Sequence, residues 1–170
     1  MYQVGILTMS DKGSRGERED LSKKVIEEIV IEHGYKVVVY RLIPDDFERI
    51  KKELIEMADE LKVDLILTSG GTGFSMRDVT PEATKAVMTR DVPGISEAMR
   101  ASSMEVTRRA MLSRAASGLR NSTLIINLPG SPKACRENLN SIIDQLKHGL
   151  DILTGRSGDC AAPDKHHEQH

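Results

Sequence analysis

Short apolar runs alternate along the chain with longer stretches in which apolar residues recur at helical spacing. The short runs are bounded by polar residues, glycine or proline and are rich in branched side chains, as buried strands are. Four runs are predicted as strands: Val4–Thr8, Val37–Tyr40, Leu65–Thr68 and Leu124–Asn127. The pattern therefore indicates an α/β protein, in which strands and helices alternate.

The stretches that follow the first two strands carry helix signals. The apolar positions of the first helix are Leu21, Val25, Ile26, Ile29 and Val30. Gly34 is typical of a residue just beyond a helix end. After the second strand, Pro44 breaks the chain and Asp46 is the better candidate for a helix cap. The apolar face of this second helix is predicted to comprise Phe47, Ile50, Leu54, Met57 and Leu61.

The middle of the chain is predicted from weaker signals. Thr80 is expected to cap a helix, with Pro81 at its first position and Glu82 in its first turn. Beyond this helix, we expect another over Ile95–Met104 and an edge strand within Leu112–Leu119.

The order of these elements predicts a three-layer α/β/α sandwich with a mostly parallel sheet. In such sheets, ligands bind beyond the carboxyl ends of the strands. Residues suited to ligand contact follow all four predicted strands, namely Ser10-Asp11, Asp45-Asp46, Ser69–Gly73 and Asn127–Gly130. We therefore expect the functional site at this edge of the sheet.

The glycine-rich segment after the third strand is the candidate ligand loop. Its predicted binding residues are Ser69, Gly70, Gly71, Thr72 and Gly73. The glycines permit left-handed backbone angles, and their N–H groups could cradle a phosphate. A tight turn that binds nothing would use the same residues. The spacing matches neither the P-loop nor the dinucleotide-binding fingerprint, so both of those nucleotide folds are disfavoured.

Two aspartates at the same edge suggest a metal ion. Asp78 lies within the glycine-rich loop, where its charge would repel a phosphate unless a cation intervenes. Mg²⁺ is suited to that position, because it takes one or two carboxylates together with phosphate oxygens. Asp45 is the second candidate, since Asp46 is expected to cap the helix. Asp78 could instead cap a turn through its own backbone.

The turn after the fourth strand repeats the strand–loop–helix arrangement. Pro129 and Gly130 precede Ser131-Pro132, where the last helix is predicted to begin, and helix N-termini attract anions. Lys133 could add positive charge, although such a lysine is more often a solvated surface residue. His166, His167 and His170 could bind a metal, but a polar tail over residues 156–170 explains them better.

Composition narrows the classes of function. The 170 residues suit one domain, which we place at residues 1–155. A net charge of -2 and an aromatic content of 3% argue against a nucleic-acid partner. No apolar run reaches membrane-spanning length and no apolar signal follows Met1, so we expect a cytoplasmic protein without a membrane partner. Cys135 and Cys160 lack the spacing of a metal site and are expected to be ordinary thiols.

Ser69–Ala83 resembles the signature of the MogA and gephyrin G-domain family, the molybdopterin adenylyltransferases. Further similar segments are Leu42–Asp45, Asp91–Gly94, Met111–Gly118 and Ser122–Gly130. The likeness covers nearly the whole chain to about Gly155. The signature is long and specific, so chance is a poor explanation for it.

The resemblance implies a three-layer α/β/α domain that assembles as a homotrimer. It implies Mg²⁺ as cofactor and ATP as co-substrate, with AMP transferred to the terminal phosphate of molybdopterin and pyrophosphate released. A separate molybdenum-insertion protein would then receive the product. The alternative is a non-catalytic molybdopterin-binding or scaffold paralogue of the same family.

The resemblance also implies roles for individual residues. Asp78 and Asp45 match the catalytic, metal-associated aspartates of the family. The positions tied to pterin and phosphate contact are Ser10, Ser103, Ser113 and Asn127. The nucleotide and its phosphates are expected to approach the backbone at Gly71, Thr72, Gly73 and Gly130.

Two positions depart from the family pattern. Lys23 stands where the family often has a glycine after Asp20-Leu21-Ser22, which affects the expected shape of that loop. Ser131 replaces an asparagine or glutamine, a smaller change in a variable turn.

Overall fold

Six strands form one sheet in a computed structural model that describes residues 1–156. The strands are β1 Gln3–Met9, β2 Lys36–Ile43, β3 Leu65–Ser69, β4 Arg90–Asp91, β5 Ser117–Arg120 and β6 Thr123–Leu128. Their order across the sheet is β2-β1-β3-β6-β5-β4. The first four in this order are parallel, whereas β5 runs antiparallel to both β6 and β4. The predicted mostly parallel sheet is confirmed.

Helices cover both faces of the sheet. They are α1 Asp11–Ser14, α2 Leu21–Glu32, α3 Phe47–Ile55, α4 Thr80–Val87, α5 Pro93–Met104 and α6 Pro132–Leu153. A π-helical turn, Glu56–Glu60, extends α3, and a 3₁₀ turn, Arg108–Leu112, follows α5. Residues of α2, α5 and α6 share one hydrophobic cluster, and residues of α3 and α4 share the other. The predicted three layers are therefore present.

The central strands separate these two clusters because successive side chains of a strand point to opposite faces. In β3, Leu65 and Leu67 belong to the cluster of α2, α5 and α6, and Ile66 belongs to the cluster of α3 and α4. All three side chains are fully buried. Burial on both faces explains why the strand appears in the sequence as a continuous apolar run.

Several helix boundaries follow the predicted signals. Asp46 caps α3 by accepting a hydrogen bond from the N–H of Arg49 at 2.8 Å. Ser131 caps α6 by accepting from the N–H of Ala134 at 3.1 Å. Gly34, with φ of +80°, ends α2. The caps at Asp46 and Ser131 lie in the loops that follow β2 and β6, at the carboxyl ends of those strands.

Three predictions about local structure were wrong. The N-cap of α4 is Val79 rather than Thr80, which is already helical and whose buried hydroxyl has no partner within residues 1–156. Leu61 leaves the apolar face and is 43% exposed, because the π-helical turn adds a residue and rotates it away. The strand expected within Leu112–Leu119 is β5, which lies inside the sheet because the two-residue β4 forms the edge.

No helix within residues 1–156 is both long enough and apolar enough to cross a membrane. Most of the predicted C-terminal tail, including its histidines and Cys160, lies outside the described residues.

The burial of β3 leads to a prediction about stability. Replacing the fully buried Leu67 with alanine is expected to lower the free energy of unfolding by about 2–5 kcal/mol, because the lost side chain leaves a cavity. The exposed Leu61 is the matched control, and Leu61→Ala should cost only about 0.5 kcal/mol. Urea denaturation measures both values, and equal losses would contradict the assigned burial.

Candidate functional site

A cavity of about 560 Å³ opens at the carboxyl ends of β1, β2 and β3. It is the place at which the sequence predicts ligand binding. The predicted site residues that line it are Ser10, Asp45, Ser69, Gly70, Gly71, Asp78 and Gly130. Both candidate metal ligands and the first three residues of the glycine-rich loop, Ser69–Gly71, are thus brought to one cavity. The segment Arg18–Ser22 and the start of α6 complete its wall.

Close backbone contact between strand ends forms the floor of this cavity. A Cβ atom added at Gly70, where φ is +95°, would lie 2.5 Å from the carbonyl oxygen of Met9 at the end of β1. The N–H of Gly70 donates to the carbonyl of Leu128 at 3.2 Å. A Cβ added at Gly130 would lie 3.4 Å from the Cα of Gly70. Only glycine permits this approach of the loops after β1, β3 and β6.

Gly71 is constrained in the same way, with φ of +70°. A Cβ added there would come closer than 3.0 Å to the hydroxyl of Thr80 and would lie 3.1 Å from the Oδ1 atom of Asp45. The N–H of Thr80 also donates to the carbonyl of Gly71 at 3.2 Å. The loop therefore packs directly against the start of α4 and beside one candidate metal ligand.

Asp78 has the turn-capping bond that the sequence left as an alternative, and it also faces the cavity. Its Oδ2 atom accepts a hydrogen bond from the N–H of Ser75 at 3.0 Å. A Cβ added at Gly73 would lie 2.9 Å from the same oxygen. The side chain is half-buried and lines the cavity. One backbone bond leaves the carboxylate with further acceptor capacity.

Asp45 and Asp11 are joined by two reciprocal hydrogen bonds, each from the backbone N–H of one residue to the carboxylate of the other. The N–H of Asp45 donates to the Asp11 carboxylate at 3.0 Å, and the N–H of Asp11 donates to the Asp45 carboxylate at 3.2 Å. Arg77 adds a two-bond ion pair to Asp11, with distances of 3.0 and 2.9 Å. The sequence had placed Asp11 at a strand end, but nothing in it indicated the pairing with Arg77.

The charges at this corner have opposite effects on the two aspartates. The hydrogen bonds from Arg77 hold the pKa of Asp11 below its ordinary value. Burial, followed by the negative charges of Asp11 and Asp78, raises the pKa of Asp45. Asp45 is thus an acid whose ionised form is disfavoured by its surroundings, and a nearby cation would relieve that cost.

The donor set fits Mg²⁺ bound together with a phosphate. Within residues 1–156, no group of three His, Cys, Asp or Glu side chains could hold a metal ion without further ligands. Asp45 and Asp78 nevertheless line the same cavity. One or two carboxylates completed by phosphate oxygens are the common way in which Mg²⁺ is bound. The basic residues that line the cavity are Lys12 and Arg18.

Ser69 and Cys135 support the turn after β6 from its buried side through hydrogen bonds. The Ser69 hydroxyl donates to the carbonyl of Pro129 at 3.0 Å, and the Cys135 thiol donates to the same oxygen at 2.8 Å. Ser22 donates to the carbonyl of Gly130 at 2.7 Å. Burial raises the pKa of Cys135 to about 11, as expected for an unreactive thiol.

Other predicted site residues lie away from the cavity wall. Thr72 and Pro129 each adjoin a lining residue in the chain, and Gly73 follows Thr72, but none of the three is part of that wall. Ser103 lies on α5, where its hydroxyl accepts a hydrogen bond from the side chain of Asn138 on α6 at 3.0 Å. Ser113 follows the 3₁₀ turn.

Asn127 is fully buried and its side chain is satisfied within the fold. Its amide donates to the hydroxyls of Thr68 and Thr84 at 3.0 and 2.9 Å. Its oxygen accepts from the N–H of Ala116 at 3.1 Å. The residue therefore joins β6 to α4 and to the segment before β5.

Lys23 lies in α2, where a glycine is not needed. The N–H of Lys23 donates to Asp20, which caps the helix, at 3.0 Å. Its ammonium forms an ion pair with Glu27 and lies 5.4 Å from the centre of the Tyr40 ring. The Tyr40 hydroxyl in turn donates to Asp20 at 2.7 Å. The departure from the family pattern is accommodated by these contacts.

Comparison with known proteins gives one consistent family. The profile described as "Probable molybdopterin binding domain" matches residues 5–148. The molybdopterin adenylyltransferase of Helicobacter pylori J99 is 43% identical, covering 89% of this chain and 88% of the relative. The enzyme of that name from Escherichia coli K12 is 39% identical, covering 87% and 79%.

A solved structure supports the same grouping. The molybdopterin biosynthesis enzyme MoaB of Thermus thermophilus superposes with a TM-score of 0.87 at 49% identity. The match covers 91% of this chain and 98% of that one. Fold and sequence comparisons therefore agree over most of the described residues.

The contact at Gly71 predicts a specific strain. Gly71→Ala and Gly16→Ala both place a side chain at positive φ, which costs about 1–2 kcal/mol. Only Gly71→Ala also forces a Cβ against Thr80, so it should lose a further ~1–3 kcal/mol of unfolding free energy. Adding Thr80→Ala should recover part of that loss. Equal losses for the two glycine variants in urea denaturation would refute the contact.

The raised pKa of Asp45 predicts a pH-dependent gain in stability. Above both its folded and unfolded pKa, the ionised Asp45 disfavours the native state; below both, that cost is absent. Asp45→Asn should therefore unfold with a higher free energy than wild type at pH 7. The gain should shrink as the pH falls through the raised folded pKa towards the ordinary value of 3.8, and it should be absent below that value. A gain that does not change with pH would show that charge is not its cause.

Proposed function

This chain belongs to the family described as "Probable molybdopterin binding domain", and on that premise we propose that it is a molybdopterin adenylyltransferase of molybdenum cofactor biosynthesis. The observation that carries the proposal is the convergence of Asp45, Asp78 and the glycine-rich loop at one cavity. Family membership supplies the pterin substrate, and the cavity supplies groups suited to a phosphate reaction.

In the proposed reaction, a terminal phosphate oxygen of molybdopterin attacks the α-phosphorus of ATP. The new bond joins AMP to the pterin phosphate, and the bond from the α-phosphorus to the bridging oxygen of pyrophosphate breaks. Such transfer depends on positioning and neutralisation of charge rather than on a protein nucleophile. The cavity therefore needs no catalytic triad.

Each part of the cavity has a place in this scheme. Gly70 and Gly71 allow phosphate groups to approach the backbone, because neither carries a side chain at the cavity floor. Asp45 and Asp78 would hold Mg²⁺, which when bound neutralises charge on the phosphate oxygens. Lys12 and Arg18 add positive charge at the same wall.

We further propose that the protein assembles as a homotrimer in the cytoplasm and passes its product to a molybdenum-insertion protein. A self-association surface is available on α5 and the segment after it. Its exposed apolar side chains are Met104, Val106, Met111 and Leu112, with exposures of 36%, 57%, 60% and 47%. Sedimentation equilibrium tests this part, and a monomer at micromolar concentration would contradict it.

The direct test mixes wild-type protein with molybdopterin, ATP and Mg²⁺ and measures adenylylated pterin and pyrophosphate. Formation of both products is expected. Binding of molybdopterin without product would instead favour a non-catalytic binding paralogue.

Asp78→Ala is expected to bind molybdopterin normally and to slow pyrophosphate release by about a hundredfold or more. The reason is that metal-assisted neutralisation of phosphate charge is worth several kcal/mol. Pyrophosphate release at saturating ATP gives the rate, and fluorescence titration gives pterin affinity. Asp64→Ala is the control and should keep the wild-type rate, because Asp64 immediately precedes β3 at the amino end of that strand, away from the cavity. Full activity in Asp78→Ala would remove this residue from the mechanism.

A further inference from the structure

The exposed middle of the glycine-rich loop has little packing of its own. Phe74 and Met76 are 70% and 95% exposed, so their side chains do not anchor the segment by burial. Within this turn, the N–H of Asp78 donates to the carbonyl of Ser75 at 2.9 Å. The turn also carries Asp78, whose carboxylate must be placed accurately for the proposed reaction. Contacts from outside the turn therefore determine where that carboxylate lies.

Arg114 makes such contacts at both ends of the turn. Its main-chain N–H donates to the carbonyl of Thr72 at 3.0 Å. Its Nε atom donates to the carbonyl of Gly73 at 2.7 Å, and its Nη2 atom donates to the carbonyl of Asp78 at 2.8 Å. One guanidinium thus bridges the residues on either side of the exposed segment.

The same guanidinium is also tied to α4. Its Nη1 atom forms an ion pair with Glu82 in the first turn of that helix. The planar guanidinium therefore donates hydrogen bonds to three acceptors at once, in a fixed geometry. A lysine ammonium is a compact point charge on a flexible chain and does not reproduce this arrangement.

Arg114 holds the backbone of Asp78 without pairing with its carboxylate. The bond from Nη2 goes to the main-chain carbonyl, whereas the carboxylate accepts from the N–H of Ser75. The charge of Asp78 therefore remains available to the cavity that it lines. Direct pairing with an arginine would have neutralised it.

The segment that carries Arg114 is itself fixed to the sheet. The side chain of Asn127 accepts from the N–H of Ala116 at 3.1 Å, and the N–H of Asn127 donates to the carbonyl of Ala116 at 3.0 Å. Arg100 donates to the carbonyl of Ala115 at 3.0 Å. Asn127 is thus linked to the cavity through the arginine two residues before Ala116.

The ion pair between Arg77 and Asp11, the other charged contact of this turn, holds the loop less firmly. Arg77 is 60% exposed where it pairs with Asp11, and ion pairs exposed to water contribute little. The Arg114 side chain is 32% exposed and bonds to carbonyls at both ends of the turn.

We infer that Arg114 is a positioning residue that fixes the loop from Thr72 to Asp78 and so places the Asp78 carboxylate at the cavity. Its effect on catalysis rests on the proposed function. Its effect on the loop can be measured without turnover.

The test compares Arg114→Met and Arg114→Lys with wild type. Arg90→Met is the matched control, because Arg90 is exposed in β4 and its side chain has no hydrogen bond or ion pair within residues 1–156. Hydrogen exchange of the amides from Thr72 to Val79 measures how firmly the loop is held. Mn²⁺ affinity, measured by electron paramagnetic resonance, reports whether the Asp78 carboxylate is placed to bind a cation.

Both Arg114 variants should exchange these amides faster than wild type and bind Mn²⁺ about 10- to 100-fold more weakly, as when a group that orients a metal ligand is removed. The rate constant for turnover should fall while the KM for molybdopterin stays unchanged. Arg114→Lys should resemble Arg114→Met, since charge alone does not restore the fork. The Arg90→Met control should match wild type in every measurement.

Unchanged exchange and unchanged Mn²⁺ affinity in Arg114→Met would overturn the inference and leave Arg114 with a purely structural role. Recovery of both by Arg114→Lys would show that charge, not geometry, is what matters. A wild-type protein that makes no adenylylated pterin would refute the proposed function, whereas loop exchange would still decide the positioning role. A wild-type protein that binds no Mn²⁺ would overturn the link between Arg114 and a metal site.

Discussion

The close backbone contact at Gly70 is the constraint on which the cavity depends. It brings the end of β1, the glycine-rich loop after β3 and the turn after β6 within van der Waals distance, because neither Gly70 nor Gly130 has a side chain. Ser69 and Cys135 then support the carbonyl of Pro129 from the buried side. The polar groups of three loops can share one cavity only because these backbones touch.

The parallel order of the central strands made this arrangement predictable. Parallel strands place their carboxyl ends at one edge, so chemistry-bearing residues that follow each strand must lie near one another. Ser10, Asp45, Ser69 and Asp78 were expected at that edge for this reason, and all four line the cavity. Strand runs and helix caps are local signals, which is why the alternating fold could be read from the sequence.

Features that depend on distant contacts could not be read in this way. Arg114 is 36 residues from Asp78, and its three acceptors are defined only once the loop and α4 have docked. Leu61 follows the apolar spacing of α3 but is displaced by a π-helical turn that the spacing does not reveal. The two exposed residues of β4 form the sheet edge without any apolar pattern. Asn127 was predicted to contact pterin or phosphate, yet its amide is used inside the core.

The crowding of negative charge around Asp45 has a consequence for how this protein evolves. Burial and two neighbouring carboxylates disfavour its ionised form, so the ligand-free fold bears electrostatic repulsion at this corner. Natural proteins tend to accept such a loss of stability where activity requires it. Selection for thermal stability alone would tend to neutralise position 45, whereas selection for the bound state would keep the carboxylate. Under the proposed function, the aspartate marks a point at which the most stable sequence and the most active one diverge.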